Sequence, residues 1–267
     1  MGLKVRWIRT VGYDTHNQRL ADDFGNVRNP GTDIEVVSLK NDSVTHHLEY
    51  QSYEGLVTAD IVRVVRDAAV QQFDAVVVGC FYDPGLMEAR EISGDTVVVA
   101  PCQASVELAM SLGNKFSIII GRQKWADRME SRIREYGFHH GLASFRELGL
   151  GVPDFHKDRA ETERRMIAAA RKAIQEDRAE VIILGCTLEF GFYRKLQEIV
   201  GVPVIDCALA AFKRAEALAD LKRRFGWKPS RVWGCEPPPE DAEIHAWNVF
   251  APSLVPIGGR VWNPWEQ

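Results

Sequence analysis

No stretch of this 267-residue chain approaches the roughly 18–20 consecutive apolar residues that span a bilayer, so no membrane partner is expected. Basic residues are not in excess: 33 Lys and Arg stand against 37 Asp and Glu, a net charge of −4. Neutralising phosphates needs the opposite balance, which argues against nucleic acid as a partner. Cysteine is sparse, five residues with no C-x-x-C pair. An odd, scattered set makes no disulfide framework, and Met1–Arg6 runs into a strand pattern without a secretory apolar segment, so free thiols in the cytoplasm are expected. The pairs His46-His47 and His139-His140 lack the i, i+4 spacing of two metal ligands on a helix. Gly12, Gly25 and Gly31 form no phosphate-cradling loop. Neither a metal nor a nucleotide cofactor is expected; what remains is side-chain chemistry on a small molecule.

What is present is an alternation. Short β-branched runs at Lys4–Arg9, Asp33–Leu39, Ala75–Gly79, Thr96–Ala100, Phe116–Gly121, Val181–Gly185 and Val202–Asp206 read as strands buried on both faces. Amphipathic stretches at Tyr53–Phe73, Gln103–Leu112, Trp125–Tyr136, Arg159–Asp177, Glu189–Val200 and Ala208–Phe225 read as helices. Strands alternating with helices predict an α/β fold with mainly parallel sheets flanked by helices.

The chain also repeats itself. Phe73–Cys80, FDAVVVGC, matches Ala179–Cys186, AEVIILGC: an acidic residue, an apolar strand and a closing Gly-Cys. After each, a helix and another strand lead to a further cysteine, Cys102 and Cys207, at intervals of 22 (80 to 102) and 21 (186 to 207) positions. Four of five cysteines in equivalent places predict two similar α/β lobes with the active site in the cleft between them.

From Gly226 onward the character changes. Pro229, Pro237–Pro239, Pro252, Pro256 and Pro264 exclude long helices, while Trp227, Trp233, Trp247, Trp262 and Trp265 supply apolar surface that must pack on something, either its own lobe or a second subunit. A homo-oligomer is expected on this ground.

Ligands of open α/β sheets bind beyond the carboxyl ends of the strands, where Gly79-Cys80 and Gly185-Cys186 fall. Glycine lets the backbone turn and approach a ligand closely. Asp83-Pro84 reads as an N-cap and first helical position, which places free N–H groups near the sulfur and favours a thiolate. Two thiols on opposite faces of a carbon next to a carbonyl can invert it, one removing a proton and the other returning one. Backbone amides around Phe81, Tyr82, Thr187 and Leu188 are the candidate donors for the oxygen that becomes negative. Asp83 and Glu189 read either as groups that orient substrate and tune the thiols or as ordinary helix-start carboxylates. Cys102 and Cys207 read either as core residues or as groups that support the site from behind, and Cys235 as structural. Phe81, Tyr82, Phe190, Phe192 and Tyr193 read either as packing or as the lining of a pocket for an aromatic substituent.

At these residues the chain resembles a known family. GCFYDPGLMEARE, from Gly79 to Glu91, closely resembles the first cysteine motif of hydantoin and allantoin racemases, and LGCTLE, from Leu184 to Glu189, resembles the second cysteine motif of the wider aspartate/glutamate/hydantoin racemase superfamily. The likeness runs from the first strand to about Phe225. It implies two related lobes, residues 1–103 plus 208–267 and residues 104–207, with Cys80 and Cys186 as the acid/base pair and no metal or pyridoxal phosphate. Where the family carries an Asn-Pro-Asn segment that binds substrate, this chain reads Arg9-Thr10-Val11-Gly12-Tyr13, so Thr10 and Gly12 are the corresponding candidate contacts, joined by Phe81, Tyr82, Thr187, Leu188 and Glu189. Pro101–Ser105, Tyr82 and Leu188 also depart from the family pattern. The resemblance implies a cofactor-independent racemase acting on a 5-substituted hydantoin or related ureide. The alternatives are a related cysteine-dependent isomerase or decarboxylase, or a non-catalytic small-molecule binding protein of the same fold.

Overall fold

The computed structural model describes residues 2–39, 45–248, 250 and 257–263. The chain falls into two compact units, Met1–Gly79 with Pro84–Val99 and Phe212–Gln267, and Cys80–Asp83 with Ala100–Ala211.

The first unit is built on β1 (Leu3–Arg9), β2 (Thr32–Leu39), β3 (Ala75–Val78) and β4 (Val97–Val99), connected through α1 (Asn17–Val27), α2 (Gln51–Val70) and α3 (Leu86–Ile92). The strands lie in the order β4-β3-β1-β2 and run parallel, as helical crossovers require. The returning strand β9 (Ile257–Asn263) adds antiparallel to β2. Val5, Ile8, Ile34, Val36, Val76 and Val77 are fully buried, the pattern of strands covered on both faces. Arg6 is buried among them; its guanidinium is held by Glu35 and by Asp67, so the charge is paired.

The second unit carries α4 (Pro101–Leu112), β5 (Phe116–Ile120), α5 (Ala126–Glu135), β6 (Leu142–Glu147), α6 (Arg159–Asp177), β7 (Val181–Leu184), α7 (Tyr193–Val200), β8 (Val204–Asp206) and the first residues of α8 (Cys207–Phe225). Its strands lie in the order β6-β5-β7-β8, all parallel. The second sheet thus repeats the order of the first, β2-β1-β3-β4. In both, the connections reverse direction between the first and third strands, which is where open α/β sheets bind their ligands.

The protein is α/β with two mostly parallel sheets flanked by helices. Three elements escape the periodicity of the sequence. In α1 the buried face is only Asn17, Leu20, Ala21 and Phe24; β6 is a half-buried edge strand with no apolar run; and β9 lies in the proline- and tryptophan-rich tail. That tail returns to its own sheet through β9, where Trp262 stacks on Phe73 at 5.9 Å. Trp227, Trp233 and Trp247 are exposed, and Pro252, Pro256, Pro264 and Trp265 lie outside the described residues. No helix among the described residues is long and apolar enough to cross a membrane.

Candidate active site

Both cysteine motifs are built the same way. Gly79 extends the β1–β3 pairing by one bond, its N–H donating to Ile8 O at 2.8 Å, and Gly185 does the same on Ile119 O at 2.9 Å. Neither position has room for a side chain: a Cβ at Gly79 would lie 2.4 Å from Trp7 Nε1, and one at Gly185 2.7 Å from Ile118 Cγ2. The chain then turns. Asp83 N–H donates to Cys80 O at 3.0 Å and Glu189 N–H to Cys186 O at 2.9 Å, so each cysteine opens a tight turn whose fourth residue is acidic. Cys80 and Cys186 are half-buried, Cys102 and Cys207 fully buried. Burial pushes the Cys207 thiol well above its usual range, with the nearby Asp206, Cys186, Glu189 and Cys80 adding to it. Cys80 and Cys186 both pack against the core cluster that contains Cys207.

The two acidic residues differ in their surroundings. Asp83 is fully buried, and its carboxylate accepts from Cys102 N at 2.8 Å, Gln103 N at 2.9 Å and Tyr136 Oη at 2.9 Å. Burial pushes its pKa up to about 7, against the pull of those three donors and the nearby Arg132. Glu189 is equally buried, yet neither carboxyl oxygen has a hydrogen-bond partner. Burial holds it well above the usual carboxylate range; the Cys186 and Gly185 amides face it outside bonding geometry and lower it somewhat, while Asp206 raises it.

Residues 19–215 match the family model described as Asp/Glu/Hydantoin racemase. The chain belongs to that family. It is an isomerase, of the racemase type. A hydantoin racemase of Paenarthrobacter aurescens is 35% identical over 188 residues, 70% of this chain and 78% of that protein, and one of Pseudomonas sp. (strain NS671) is 32% identical over 72% of this chain and 76% of that protein. Among solved structures, an allantoin racemase from Pseudomonas fluorescens aligns with a TM-score of 0.78 at 26% identity, covering 88% of this chain and 97% of that one.

The racemase differs in detail from the reading of its sequence. The helix expected from Glu189 begins at Tyr193, because Gly191 has a left-handed backbone (φ +78°) that breaks it. Asp83 does not cap its own helix, which starts at Leu86; it caps α4 from a distance. The α4 N–H groups near Cys80 are therefore occupied rather than free. Phe81, Tyr82, Leu188, Phe190 and Phe192 are buried in the core of the second unit, Thr187 is half-buried beside Cys186, and in the first unit Thr10 is buried and Gly12 exposed beyond the end of β1. Cys235, read as structural, is exposed. No cluster of three or more His, Cys, Asp or Glu among the described residues is arranged to hold a metal ion; His139 is engaged by Glu130 at 2.8 Å.

Three contributors carry no signal in the sequence. Tyr136 bonds Asp83; Arg132 Nε donates to Tyr82 O at 3.2 Å; and His156 Nε2 lies 2.7 Å from Leu188 O while stacking on Phe190 at 4.7 Å. Each acts on a motif residue far away in the chain, so no local pattern marks it.

Proposed function

We propose that this racemase inverts the carbon next to a carbonyl in a 5-substituted hydantoin or related ureide, with Cys80 and Cys186 as a two-base pair and no cofactor. The observation that carries the reading is the matched placement of two half-buried thiols, each one glycine beyond the third strand of its sheet order and packed against the core cluster that contains Cys207. The similarity to proteins named hydantoin racemase supports the substrate class.

In this reading the thiolate of one cysteine takes the proton from carbon, and the electron pair moves onto the carbonyl oxygen. The thiol of the other cysteine then delivers a proton to the opposite face, and the roles exchange for the mirror-image substrate. The carbonyl itself makes the carbon acidic, so the step needs only preorganised donors at the oxygen. Backbone amides of Phe81, Tyr82, Thr187 and Leu188 are the proposed donors. Thr10 and Gly12 are proposed substrate contacts.

The test is deuterium incorporation from D2O into single-enantiomer hydantoins and allantoin, followed by NMR and chiral chromatography. Inversion with uptake of one deuteron at the inverted carbon is expected, abolished by Cys80→Ala and by Cys186→Ala. Inversion that survives either substitution removes the two-cysteine mechanism, and absence of exchange on every compound removes the substrate class.

A further inference from the structure

The turn that carries Cys80 is tied down through its acidic residue, and the turn that carries Cys186 is not. Asp83 closes the Cys80 turn with a left-handed backbone (φ +50°), and its carboxylate reaches the first N–H groups of α4, at Cys102 and Gln103, and the hydroxyl of Tyr136 at the end of α5. Arg132 of α5 holds the turn by Tyr82 O, while Phe81 and Tyr82 pack into the core. Every residue between Cys80 and Pro84 is thereby anchored within the second unit.

At Cys186 the carboxyl of the equivalent acid makes no hydrogen bond, and the turn is held by its own backbone and by His156 Nε2, 2.7 Å from Leu188 O. The start of α8 is capped by Asp206, which precedes Cys207 and accepts from Ala208 N at 3.0 Å and Leu209 N at 3.2 Å. At the matching place before Cys102 stands Pro101, whose side chain accepts nothing. Capping of α4 has passed to Asp83, although α8 shows that this fold can cap the helix with an adjoining residue. What the longer route adds is a rigid tie between the Cys80 turn and α4.

We propose that Asp83 is a positioning residue for Cys80 and not for Cys186: its carboxylate, held by α4 and Tyr136, fixes the turn so that the thiol meets one face of the substrate carbon. This rests on the two-cysteine reading above. Proton transfer depends on placement at the ångström level, so loosening the turn is expected to cost on the order of 100-fold in the step that Cys80 performs.

The test separates the two half-reactions. In Cys186→Ala protein the remaining Cys80 removes the proton of one hydantoin enantiomer, exchanges it with solvent and returns a deuteron to the same face, giving exchange without inversion; Cys80→Ala protein does this to the other enantiomer through Cys186. With L- and D-5-isobutylhydantoin in D2O, adding Asp83→Asn is expected to slow the Cys80 exchange on the order of 100-fold and leave the Cys186 exchange within about threefold. Tyr136→Phe, which removes one of three donors and is the milder change, is expected to show the same selectivity at smaller size. Equal slowing of both exchanges, or of neither, in the milder variant overturns the positioning role while leaving the two-cysteine mechanism standing. Loss of enantiomer-selective exchange in the single-cysteine proteins themselves, with the unsubstituted protein active, overturns the mechanism and this inference with it.

Discussion

Gly79 lies close against the indole of Trp7: a Cβ added there would come 2.4 Å from Trp7 Nε1 and 2.7 Å from Ile8 O. Trp7 is buried on β1, so it has nowhere to retreat. The Cys80 turn therefore begins at a point where only a hydrogen fits. Gly79→Ala is expected to destabilise the protein by about 1–3 kcal/mol through overpacking, and Gly185→Ala, which meets Ile118 and Ile119 O at 2.7 and 2.8 Å, by a similar amount. Urea unfolding of the two variants measures this; two midpoints equal to that of the unsubstituted protein would show that the strand ends yield freely.

The five cysteines should separate by accessibility. Cys102 and Cys207 are sealed in the core and their thiols are held well above the usual range by burial; Cys80 and Cys186 are half-buried and Cys235 is exposed. Alkylation of the native protein with iodoacetamide near neutral pH, read by peptide mass spectrometry, is expected to label Cys235 and at least one of Cys80 and Cys186, and to spare Cys102 and Cys207. A hydantoin substrate should protect Cys80 and Cys186 but not Cys235. Labelling of Cys102 before Cys80 would contradict the packing described above.

Asp83 ties stability to pH. Its folded pKa, about 7, lies above the usual 3.8 because burial outweighs its donors. The folded protein therefore binds this proton more tightly than the unfolded chain does, so the contribution is complete below about pH 4 and is lost as pH rises through 7. The loss amounts to a few kcal/mol at most, at about 1.4 kcal/mol per pKa unit. Relative to Asp83→Asn, the unsubstituted protein is expected to lose stability between pH 5 and pH 8. Parallel urea denaturation curves at the two pH values test this, and an Asp83→Asn difference that does not change with pH would place the carboxyl's pKa near its ordinary value.

The features readable from the residues are those that local physics writes into short segments. The runs Ala75–Val78 and Val181–Leu184 are continuous and β-branched because parallel strands are covered on both faces, and their Gly-Cys endings stand out because they recur. The edge strand β6 and the returning β9 were not readable: an edge strand needs no continuous apolar run, and β9 pairs with a strand more than two hundred residues earlier. The helical periodicity runs through Glu189, yet the left-handed Gly191 delays the helix to Tyr193.

The sequence by itself determined that this is an α/β protein with duplicated Gly-Cys strand ends, and it pointed to Cys80 and Cys186, because periodicity, glycine placement and repetition are local properties of the chain. Only the tertiary structure decided the environment of each group: that Asp83 is bonded by α4 and Tyr136 whereas Glu189 is left without a donor. Desolvation and hydrogen bonding depend on which distant segments come to lie against a carboxyl, and two acids alike in sequence position carry no record of that difference until the chain has folded.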